Sequence, residues 1–373
     1  MTFAMTHSAD DQHHMRAALS LAARGLGTVW PNPSVGCVLV KDGVVVGRGW
    51  TQPGGRPHGE TEALRRAGEA ARGSTAYVSL EPCNHHGKTP PCTEALIAAG
   101  VARVVVACED PDPRVAGSGI KRLRDAGIRV DVGVCADEAW EMNRGFFARI
   151  LHDRPLVTLK LATTLDGRIA TYRGESQWIT GPEARAMGHG LRARHDAIMV
   201  GIRTVLADNP ELTCRLAGLE DRSPVRIVFD SRLRLPLTSK LVRTAKQVPT
   251  WIVTCADADG LRGKALADCG VQVIPVVADG AGLPDPVQAM ADLAGRGLTR
   301  VLVEGGATLA ASLLRAKLVD RLEWFRASRI IGGDGTAAVA AFGVDALSHA
   351  AGFDRVRVRR AGDDLVESYV RRE

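Results

Sequence analysis

Short apolar runs alternate with amphipathic segments along residues 14–134. The Ala- and Leu-rich segment 14–24 predicts a helix, while the apolar runs 35–40 and 44–50, joined by a Lys-Asp-Gly turn, predict a β-hairpin. The pattern continues with helices over 61–72, 92–99 and 121–127 and with strands over 75–80, 102–108 and 128–134. This alternation favours a three-layer α/β domain, preceded by a polar tail over residues 1–14.

A second α/β pattern begins after a break at residues 151–155, so we expect two domains, 1–150 and 155–373. The total length of 373 residues also fits about two domains of ~150 residues each. We find no internal repeat and no low-complexity segment. The predicted strands of the second half cover 156–162, 197–201, 225–230, 250–255, 271–277 and 300–304, and its predicted helices cover 182–194, 286–295 and 307–317.

Composition places the chain among soluble globular proteins. Hydrophobic residues make up 45% of it and charged residues 24%, and no apolar stretch approaches the ~18 residues that a membrane span needs. The formal net charge of +6 is mild and dispersed, so we predict no nucleic-acid partner, since basic residues also serve anionic small substrates. The eight cysteines are scattered and no secretory signal is present, so we expect a cytoplasmic protein without a disulfide framework.

One histidine and two cysteines stand where the predicted elements would gather them. His58 precedes a predicted helix, Cys83 follows a predicted strand, and Cys92 opens the next helix. Zn²⁺ favours imidazole and thiolate ligands, and three protein ligands leave its fourth tetrahedral position open, as in catalytic sites. The positive end of a helix dipole would stabilise the Cys92 thiolate. We therefore predict a catalytic zinc ion held by these three side chains.

Glu60 lies two residues after His58, close enough to act on a water molecule at the metal without being a ligand. One His, two Cys and a glutamate acting as general acid and base are the set that zinc deaminases use. We therefore predict that Glu60 takes a proton from water and passes it to a leaving amine. A helix cap is the alternative role for Glu60. His85 and His86, between the two cysteines, could compete as ligands, but a loop position that lines the substrate pocket is favoured for them.

Longer motifs around these residues resemble a known family. WPNPSVGCVLVKDGVVVGRGW, PHGETEAL and YVSLEPCNHHGKTPPCTEALIAAGV are similar to the bifunctional deaminase–reductases of riboflavin biosynthesis. The PCxHxGxTPPC loop is more specific than the general cytidine-deaminase pattern. The resemblance implies a cytidine-deaminase-like fold and the hydrolytic deamination of a phosphorylated pyrimidine, 2,5-diamino-6-(5-phosphoribosylamino)pyrimidin-4(3H)-one. It gives the zinc to His58, Cys83 and Cys92 and the proton transfer to Glu60.

The same resemblance implies further contacts to the pyrimidine. Asn32, held between two prolines, would read the edge of the ring, and a plain turn residue is the alternative. Asp110 and Asp112 match a loop near that pocket. The family often has Asn where Asp112 stands and Ala where Gly59 stands, and both differences leave the zinc ligands intact.

The second half lacks a G-x-G-x-x-G fingerprint, but VLVEGGATLAASLL combines a strand, a Gly-Gly turn and a helix. Glycines let the backbone approach a phosphate, and the N–H groups at a helix start can bind it. LKLATTLDGRIA, GESQWITG, LRARHDAIMVGIRTVLADNPELTCR and VFDSRLRLP resemble the reductase domain of the same family. The resemblance implies a dihydrofolate-reductase-like fold that uses NADPH to reduce a ribosyl group to a ribityl group.

The matching positions in the second half carry the expected contacts. Arg192 and Arg215 have the fork geometry that suits a ribose phosphate, and Trp178 offers a flat face to an aromatic ring. Lys160 and Asp208 are candidates for handling the proton that accompanies hydride, although a structural strand role suits Lys160 equally. The resemblance places the nucleotide against Ala162, Trp178, Thr204, Asp208, Ser231, Gly306, Ala307, Thr308 and Leu309, and the substrate against Ser176, Arg192, Leu212, Arg215 and Glu304.

Two other functions are compatible with part of the pattern. A nucleoside or tRNA-base zinc deaminase with a degenerate partner domain would share the zinc chemistry, but the TPPC loop and the intact reductase-like motifs argue against it. A zinc-stabilised nucleic-acid-binding module is supported only by the net positive charge. We therefore expect an enzyme that acts on a small phosphorylated molecule, and the resemblance suggests a homo-oligomer.

Overall fold

The computed structural model describes residues 8–87, 89–113 and 115–372 of the chain. Contacts divide the chain into two compact units, the first ending at Asp153 and the second beginning at Arg154. In the described part, no helix combines the length and the apolar character that crossing a membrane requires.

In its described residues, the amino-terminal unit contains a five-stranded sheet and five α-helices. The strands are β1 (Gly36–Lys41), β2 (Val44–Trp50), β3 (Thr75–Val78), β4 (Arg103–Val106) and β5 (Arg129–Val132), and the helices are α1 (Ala9–Ala22), α2 (Gly59–Ala67), α3 (Cys92–Ala98), α4 (Ser118–Asp125) and α5 (Ala136–His152). The strand order is β2-β1-β3-β4-β5. β1 is antiparallel to both its neighbours, whereas β3, β4 and β5 run parallel.

Two glycines show that helices cover both faces of this sheet. An added Cβ at Gly36 of β1 would lie 1.9 Å from the Ala18 carbonyl oxygen of α1. An added Cβ at Gly49 of β2 would lie 2.1 Å from the Gly59 carbonyl oxygen of α2. Gly49 pairs with Cys37, the neighbour of Gly36, so the two glycines face opposite sides of the sheet. This confirms the predicted three-layer α/β arrangement.

The predicted hairpin forms with a two-residue turn. β1 ends at Lys41 and β2 begins at Val44, and both turn residues have left-handed backbone, with φ of 49° at Asp42 and 75° at Gly43. Asp-Gly favours such a turn because Gly has no Cβ and Asp tolerates positive φ. β2 runs antiparallel to β1, and the loop that follows β2 leads to α2.

The polar segment before residue 14 is helical from Ala9, so the predicted tail is wrong over its described part. Asp11 is buried, and it accepts bonds from both terminal nitrogens of Arg103, at 2.8 and 3.0 Å, and from the Tyr77 hydroxyl at 2.9 Å. The bonds from Arg103 hold the pKa of Asp11 at about 2. Because the main partner lies 92 residues away, the local pattern did not show that this segment docks.

The carboxy-terminal unit is built on one large mixed sheet. The strands of this unit are β6 (Leu156–Thr163), β7 (Arg168–Ala170), β8 (Ala197–Gly201), β9 (Val225–Phe229), β10 (Thr250–Cys255), β11 (Val271–Val276), β12 (Arg300–Glu304), β13 (Arg321–Arg326), β14 (Thr336–Ala337), β15 (Phe353–Ala361) and β16 (Asp364–Arg371). β7 and β14 pair with each other outside the large sheet. Its helices are α6 (Pro182–Arg192), α7 (Ile202–Asp208), α8 (Lys240–Arg243), α9 (Gly260–Asp268), α10 (Pro286–Gly295) and α11 (Ala307–Arg315). The strand order in the large sheet is β11-β10-β9-β8-β12-β6-β13-β16-β15.

The first seven strands of that order run parallel, and the last two form an antiparallel hairpin. Parallel strands are buried on both faces and therefore form continuous apolar runs, which is why the pattern predicts β8, β9, β10 and β12. The sequence pattern did not predict β7, β13, β14, β15, β16, α5, α7, α8 or α9. β15 is an outer strand of the sheet, and its Val356 and Val358 are 60% and 48% exposed. Because little of β15 is buried, its sequence does not form the continuous apolar run that predicts the central strands.

A buried histidine makes the stability of the carboxy-terminal unit depend on pH. His195 lies between α6 and β8, and Nδ1 must carry the proton because it faces the Leu191 carbonyl at 2.7 Å. Nε2 then accepts a bond from the Thr158 hydroxyl at 2.9 Å. Burial lowers the pKa of His195 to about 4.

The unfolded chain therefore binds a proton at His195 more readily than the folded chain. The stabilising contribution is complete above pH ~6.5 and is lost as the pH falls towards 4, by about 3 kcal/mol in all. The measurement is the free energy of urea-induced unfolding of this unit at pH values from 4 to 7.5. His195→Gln should flatten the dependence relative to the wild type, and equal slopes would contradict the prediction.

Candidate active sites

Three donor side chains converge at the starts of two helices in the amino-terminal unit. His58 immediately precedes α2, Cys92 is the first residue of α3, and Cys83 lies in the connection between β3 and α3. The Cys83 sulfur accepts the Cys92 backbone N–H at 3.3 Å. The hydrogen bond from the Cys92 thiol lowers the pKa of Cys83 despite its burial, which favours the thiolate that a metal requires.

The spacing of the three donors fits a tetrahedral zinc ion. His58 Nδ1 lies 3.6 Å from Cys83 Sγ and 3.3 Å from Cys92 Sγ, and all three atoms lie within 4.8 Å of one another. Zinc bonds of ~2.0 Å to nitrogen and ~2.3 Å to sulfur separate such ligand atoms by ~3.5 Å. Among the described residues no other His, Cys, Asp or Glu completes this cluster, so His85 and His86 are outside it.

Glu60 presents a buried and unpartnered oxygen in the first turn of α2. The residue is 2% exposed, and its Oε2 has no hydrogen-bond partner within the part of the chain that the structure describes. Burial raises the pKa of Glu60 to about 7. An unsatisfied buried polar atom is costly, so its presence two residues from His58 suits a group that meets a substrate or water. The carboxyl is thus placed as the sequence predicted, beside the donors but outside the ligand set.

Asn32 is tied to the neighbouring turn. Its side-chain amide donates to the Gly55 carbonyl at 2.8 Å. Gly55 has φ +83°, and a Cβ there would meet the Asn32 amide nitrogen at 2.2 Å. The turn role is therefore present, and the contact to a pyrimidine stays a prediction.

Most of the residues predicted for the second site lie at one edge of the large sheet. β9, β8, β12 and β6 are adjacent and parallel, so their carboxyl ends share that edge, where open α/β sheets bind ligands. Ala162 lies near the end of β6, Thr204 and Asp208 lie on α7 after β8, Ser231 follows β9, and Glu304 ends β12. Gly306 immediately precedes α11, and Ala307, Thr308 and Leu309 are its first three residues.

The Gly-Gly turn forms a cradle that a side chain would fill. Gly305 and Gly306 have φ of +89° and +92°, which side chains rarely adopt. An added Cβ on Gly306 would lie 3.5 Å from the Gly201 backbone nitrogen and 3.7 Å from the Thr204 hydroxyl. The turn opens directly into α11, whose first N–H groups lack partners within the helix. This combination fits a phosphate of a dinucleotide.

Glu304 is held by two cations. Its carboxylate accepts two bonds from Arg192, at 2.7 and 2.9 Å, and lies 3.9 Å from Lys160 Nζ. Burial opposes ionisation, but Arg192 outweighs it and holds the pKa of Glu304 at about 2. Arg192 also donates to the Thr213 carbonyl at 2.9 Å, so the bidentate face proposed for a phosphate is occupied by Glu304. Arg192 therefore orients Glu304 and the segment after α7, and Arg215 is the more open of the two arginines.

Sequence reasoning missed His189, which fixes the backbone beside Arg215. The Arg215 N–H donates to His189 Nδ1 at 3.2 Å, and the Arg215 side chain is half exposed. Burial, together with Arg192 and Arg215, lowers the pKa of His189. Leu212 is buried and has φ +55°, which turns the chain sharply there. The one available sequence signal for His189 was its position three residues before Arg192, one helical turn away on the same face.

The remaining predicted residues lie on an exposed segment before α6. Trp178 is 60% exposed, and the Arg185 guanidinium lies 4.8 Å from its ring centroid. Ser176 is partly exposed in the same segment. Trp178 is therefore not a core residue, and the Arg185 guanidinium lies over one face of its ring.

Both halves of the chain, and so both sites, are similar to known protein families. The cytidine and deoxycytidylate deaminase zinc-binding region matches residues 8–108, and the RibD C-terminal domain matches residues 155–366. The riboflavin biosynthesis protein RibD of Escherichia coli is 42% identical over 366 residues, covering 95% of this chain and 98% of that protein. The chain belongs to the RibD family.

RibD relatives match in sequence and in fold. RibD of Aquifex aeolicus is 42% identical, covering 95% of this chain and 97% of that protein. The structure of Acinetobacter baumannii RibD, form 2, has a TM-score of 0.87 and 38% identity, covering 97% of this chain and 99% of that one. A Thermotoga maritima structure described as a diaminohydroxyphosphoribosylaminopyrimidine deaminase/5-amino-6-(5-phosphoribosylamino)uracil reductase has a TM-score of 0.84 and 33% identity, covering 97% and 99%.

The predicted fold is thereby confirmed as a cytidine-deaminase-like domain followed by the RibD reductase domain, which is similar to dihydrofolate reductase. As a member of the RibD family, the chain is a bifunctional deaminase and reductase of riboflavin biosynthesis, and its cofactors are zinc and NADPH.

Proposed function

We propose that the domain over residues 1–150 deaminates 2,5-diamino-6-(5-phosphoribosylamino)pyrimidin-4(3H)-one and that the domain over 155–373 reduces the ribosyl side chain of the product to ribityl. The observation that carries the first assignment is the buried, unpartnered Glu60 Oε2 beside a three-donor cluster. Three ligands suit catalysis, whereas a structural zinc site is closed by four.

In the deaminase site, His58, Cys83 and Cys92 would hold the metal. When bound, zinc acts as a Lewis acid and makes water a nucleophile near neutral pH. Glu60 would accept the proton that the attacking water loses and deliver it to the departing amino group, which leaves as ammonia. A carboxyl whose pKa is raised to about 7 by burial can hold and release a proton under these conditions.

In the reductase site, NADPH supplies a hydride when bound. The Gly305-Gly306 turn would take a phosphate of the nucleotide, and Ala162, Trp178, Thr204, Asp208, Ser231, Ala307, Thr308 and Leu309 would line its path. Arg215 would bind the substrate phosphate, with Ser176 and Leu212 beside the substrate. Lys160, whose pKa burial lowers, and Asp208, whose pKa burial raises, are the two candidates for handling the proton.

The two activities should respond differently to metal removal. A chelator is expected to abolish ammonia release from the diaminopyrimidine phosphate while leaving NADPH oxidation with the deaminated substrate unchanged, since the three-donor cluster found among the described residues lies in the first site. Ammonia and absorbance at the NADPH band measure the two steps separately. Restored ammonia release on adding zinc is the control for irreversible damage.

Loss of both activities on chelation would contradict the two-site assignment. Faster turnover of a nucleoside or a tRNA base would favour the other zinc deaminases over this substrate. Tight, steeply salt-dependent binding of random RNA would favour a nucleic-acid-binding module instead.

The assembly and compartment are also proposals. We propose a homo-oligomer, supported by β15, which forms an outer edge of the sheet with exposed Val356 and Val358, because an edge strand leaves N–H and C=O groups unpaired. Light scattering tests this, and a mass of 39.7 kDa, that of one chain, would contradict it. All eight cysteines are free, which supports the reducing cytoplasm.

A further inference from the structure

Glu81 is a buried carboxylate whose partners are backbone N–H groups. It is 3% exposed, and the described residues give it no cationic partner. Its Oε2 accepts from Asp110 at 3.2 Å and Gly117 at 2.9 Å, and its Oε1 accepts from Gly119 at 2.8 Å and Ile120 at 3.1 Å. One side chain thus binds both ends of the connection between β4 and α4. Bonds to an ionised acceptor are the stronger kind, so this link is stiff.

The connection between β4 and α4, to which Glu81 is hydrogen-bonded, lies at the same sheet edge as the zinc donors. β3 and β4 are parallel neighbours, so the connections that follow them leave the sheet on one side. The connection after β3 carries Cys83, and the connection after β4 carries Asp110 and Asp112, which are 7% and 4% exposed. Glu81 stands where the two connections meet.

Close packing leaves the first turn of α4 little freedom to move. An added Cβ at Gly119 would lie 2.1 Å from the Pro82 carbonyl oxygen. The Asn84 side chain donates to the Ser118 carbonyl at 3.3 Å and accepts from the Thr93 hydroxyl at 3.0 Å. The residues on either side of Cys83 are therefore fastened to α4.

The zinc donors have support that does not pass through Glu81. The Cys92 N–H donates to Cys83 Sγ at 3.3 Å, and the Thr93 N–H donates to the Cys83 carbonyl at 3.3 Å. His58 is placed by the start of α2. Weakening the bonds of Glu81 should therefore loosen the Asp110–Asp112 segment without releasing the metal.

We propose that Glu81 is a positioning residue for substrate recognition by the deaminase, because it fixes the Asp110–Asp112 segment beside the zinc site. The proposal rests on the deaminase function proposed above. Glu81 would act through this segment and would not touch the substrate. The proposal predicts that weakening the bonds of Glu81 raises the KM of deamination, with little change in kcat and no change in metal content.

The test is Glu81→Gln, which keeps the volume but replaces one acceptor oxygen by an amide that faces backbone donors. The KM for the diaminopyrimidine phosphate should rise about tenfold, because the amide leaves two backbone N–H groups of the connection between β4 and α4 without their acceptor and so displaces the Asp110–Asp112 segment. The kcat should change less than about threefold, with zinc per chain and NADPH oxidation unchanged. Hydrogen exchange should quicken at the amides of Asp110, Gly117, Gly119 and Ile120.

Glu62→Gln is the matched control, because Glu62 is a buried glutamate of the same unit that pairs with Arg65 and Arg66 instead of loop backbone. Its KM should stay at the wild-type value. Glu81→Asp keeps the charge but is one methylene shorter, so it should give an intermediate KM. It also replaces Glu81→Gln as the test if the glutamine variant does not fold.

The failures can be told apart. An unchanged KM in the Glu81 variants, or a parallel loss of zinc and kcat, would overturn the positioning role. If the wild-type protein itself releases no ammonia from the diaminopyrimidine phosphate, the proposed function fails instead.

Discussion

Glu60→Gln should reduce ammonia release by about 10²–10⁴-fold, the usual contribution of a general acid and base. The amide can neither accept the proton from water nor deliver it to the leaving amine. Its volume matches that of the carboxyl, so the buried position next to His58 is retained. Zinc content and NADPH oxidation should not change. Single-turnover ammonia release, with metal analysis of the same sample, measures the effect.

The control for this substitution is the Glu62→Gln variant, which alters a glutamate on the same helix that pairs with arginine side chains. It should release ammonia at nearly the wild-type rate. Substantial deamination by Glu60→Gln with zinc bound would show that the proton travels by another group.

Glu304→Gln should destabilise the carboxy-terminal unit by about 3–5 kcal/mol, because it leaves two largely buried cations without their anion. Arg192 and Lys160 both face Glu304, and the side chains of Arg192 and Glu304 are only 14% and 11% exposed. A glutamine amide would also point a donor at an Arg192 donor. Reductase activity should fall with it. Urea-induced unfolding at pH 7 measures the stability change.

Adding Arg192→Met to Glu304→Gln separates folding from function. Removing the orphaned arginine should recover most of the stability, since a buried ion pair is often replaceable by apolar groups, while reductase activity stays low. Asp354→Asn, which breaks the exposed pair of Asp354 with Arg372, should cost less than about 1 kcal/mol. A Glu304→Gln effect no larger than that of Asp354→Asn would refute the prediction.

The zinc cluster could be predicted because residue types that bind zinc stand next to the ends of predicted helices and strands. His58 and Cys92 stand at helix starts, and the helix fixes the position of the backbone from which each side chain extends. The sequence left His85 and His86 open as ligands, since spacing within a loop does not specify distance. The distances between the donor atoms in the structure were needed to define the set of three donors.

The second site was predicted from resemblance more than from pattern, and its internal pairings were not foreseen. Arg192 was expected to bind phosphate, yet its bidentate face meets Glu304, 112 residues away. His189 was not predicted at all. Such pairs depend on which strands become neighbours in the large sheet, and periodicity carries no information about strand order.

The sequence pattern alone is enough to predict the two α/β halves, the apolar central strands, the Asp-Gly hairpin and the residue types of the zinc site. These follow from local rules, because burial, turn geometry and ligand chemistry act on neighbouring residues. Three pairings depend on how the chain folds as a whole: Asp11 with Arg103, Glu304 with Arg192, and Glu81 with the connection before α4. Each of these charged groups is buried and stable only with its distant partner, and the distance between such partners is set by the fold.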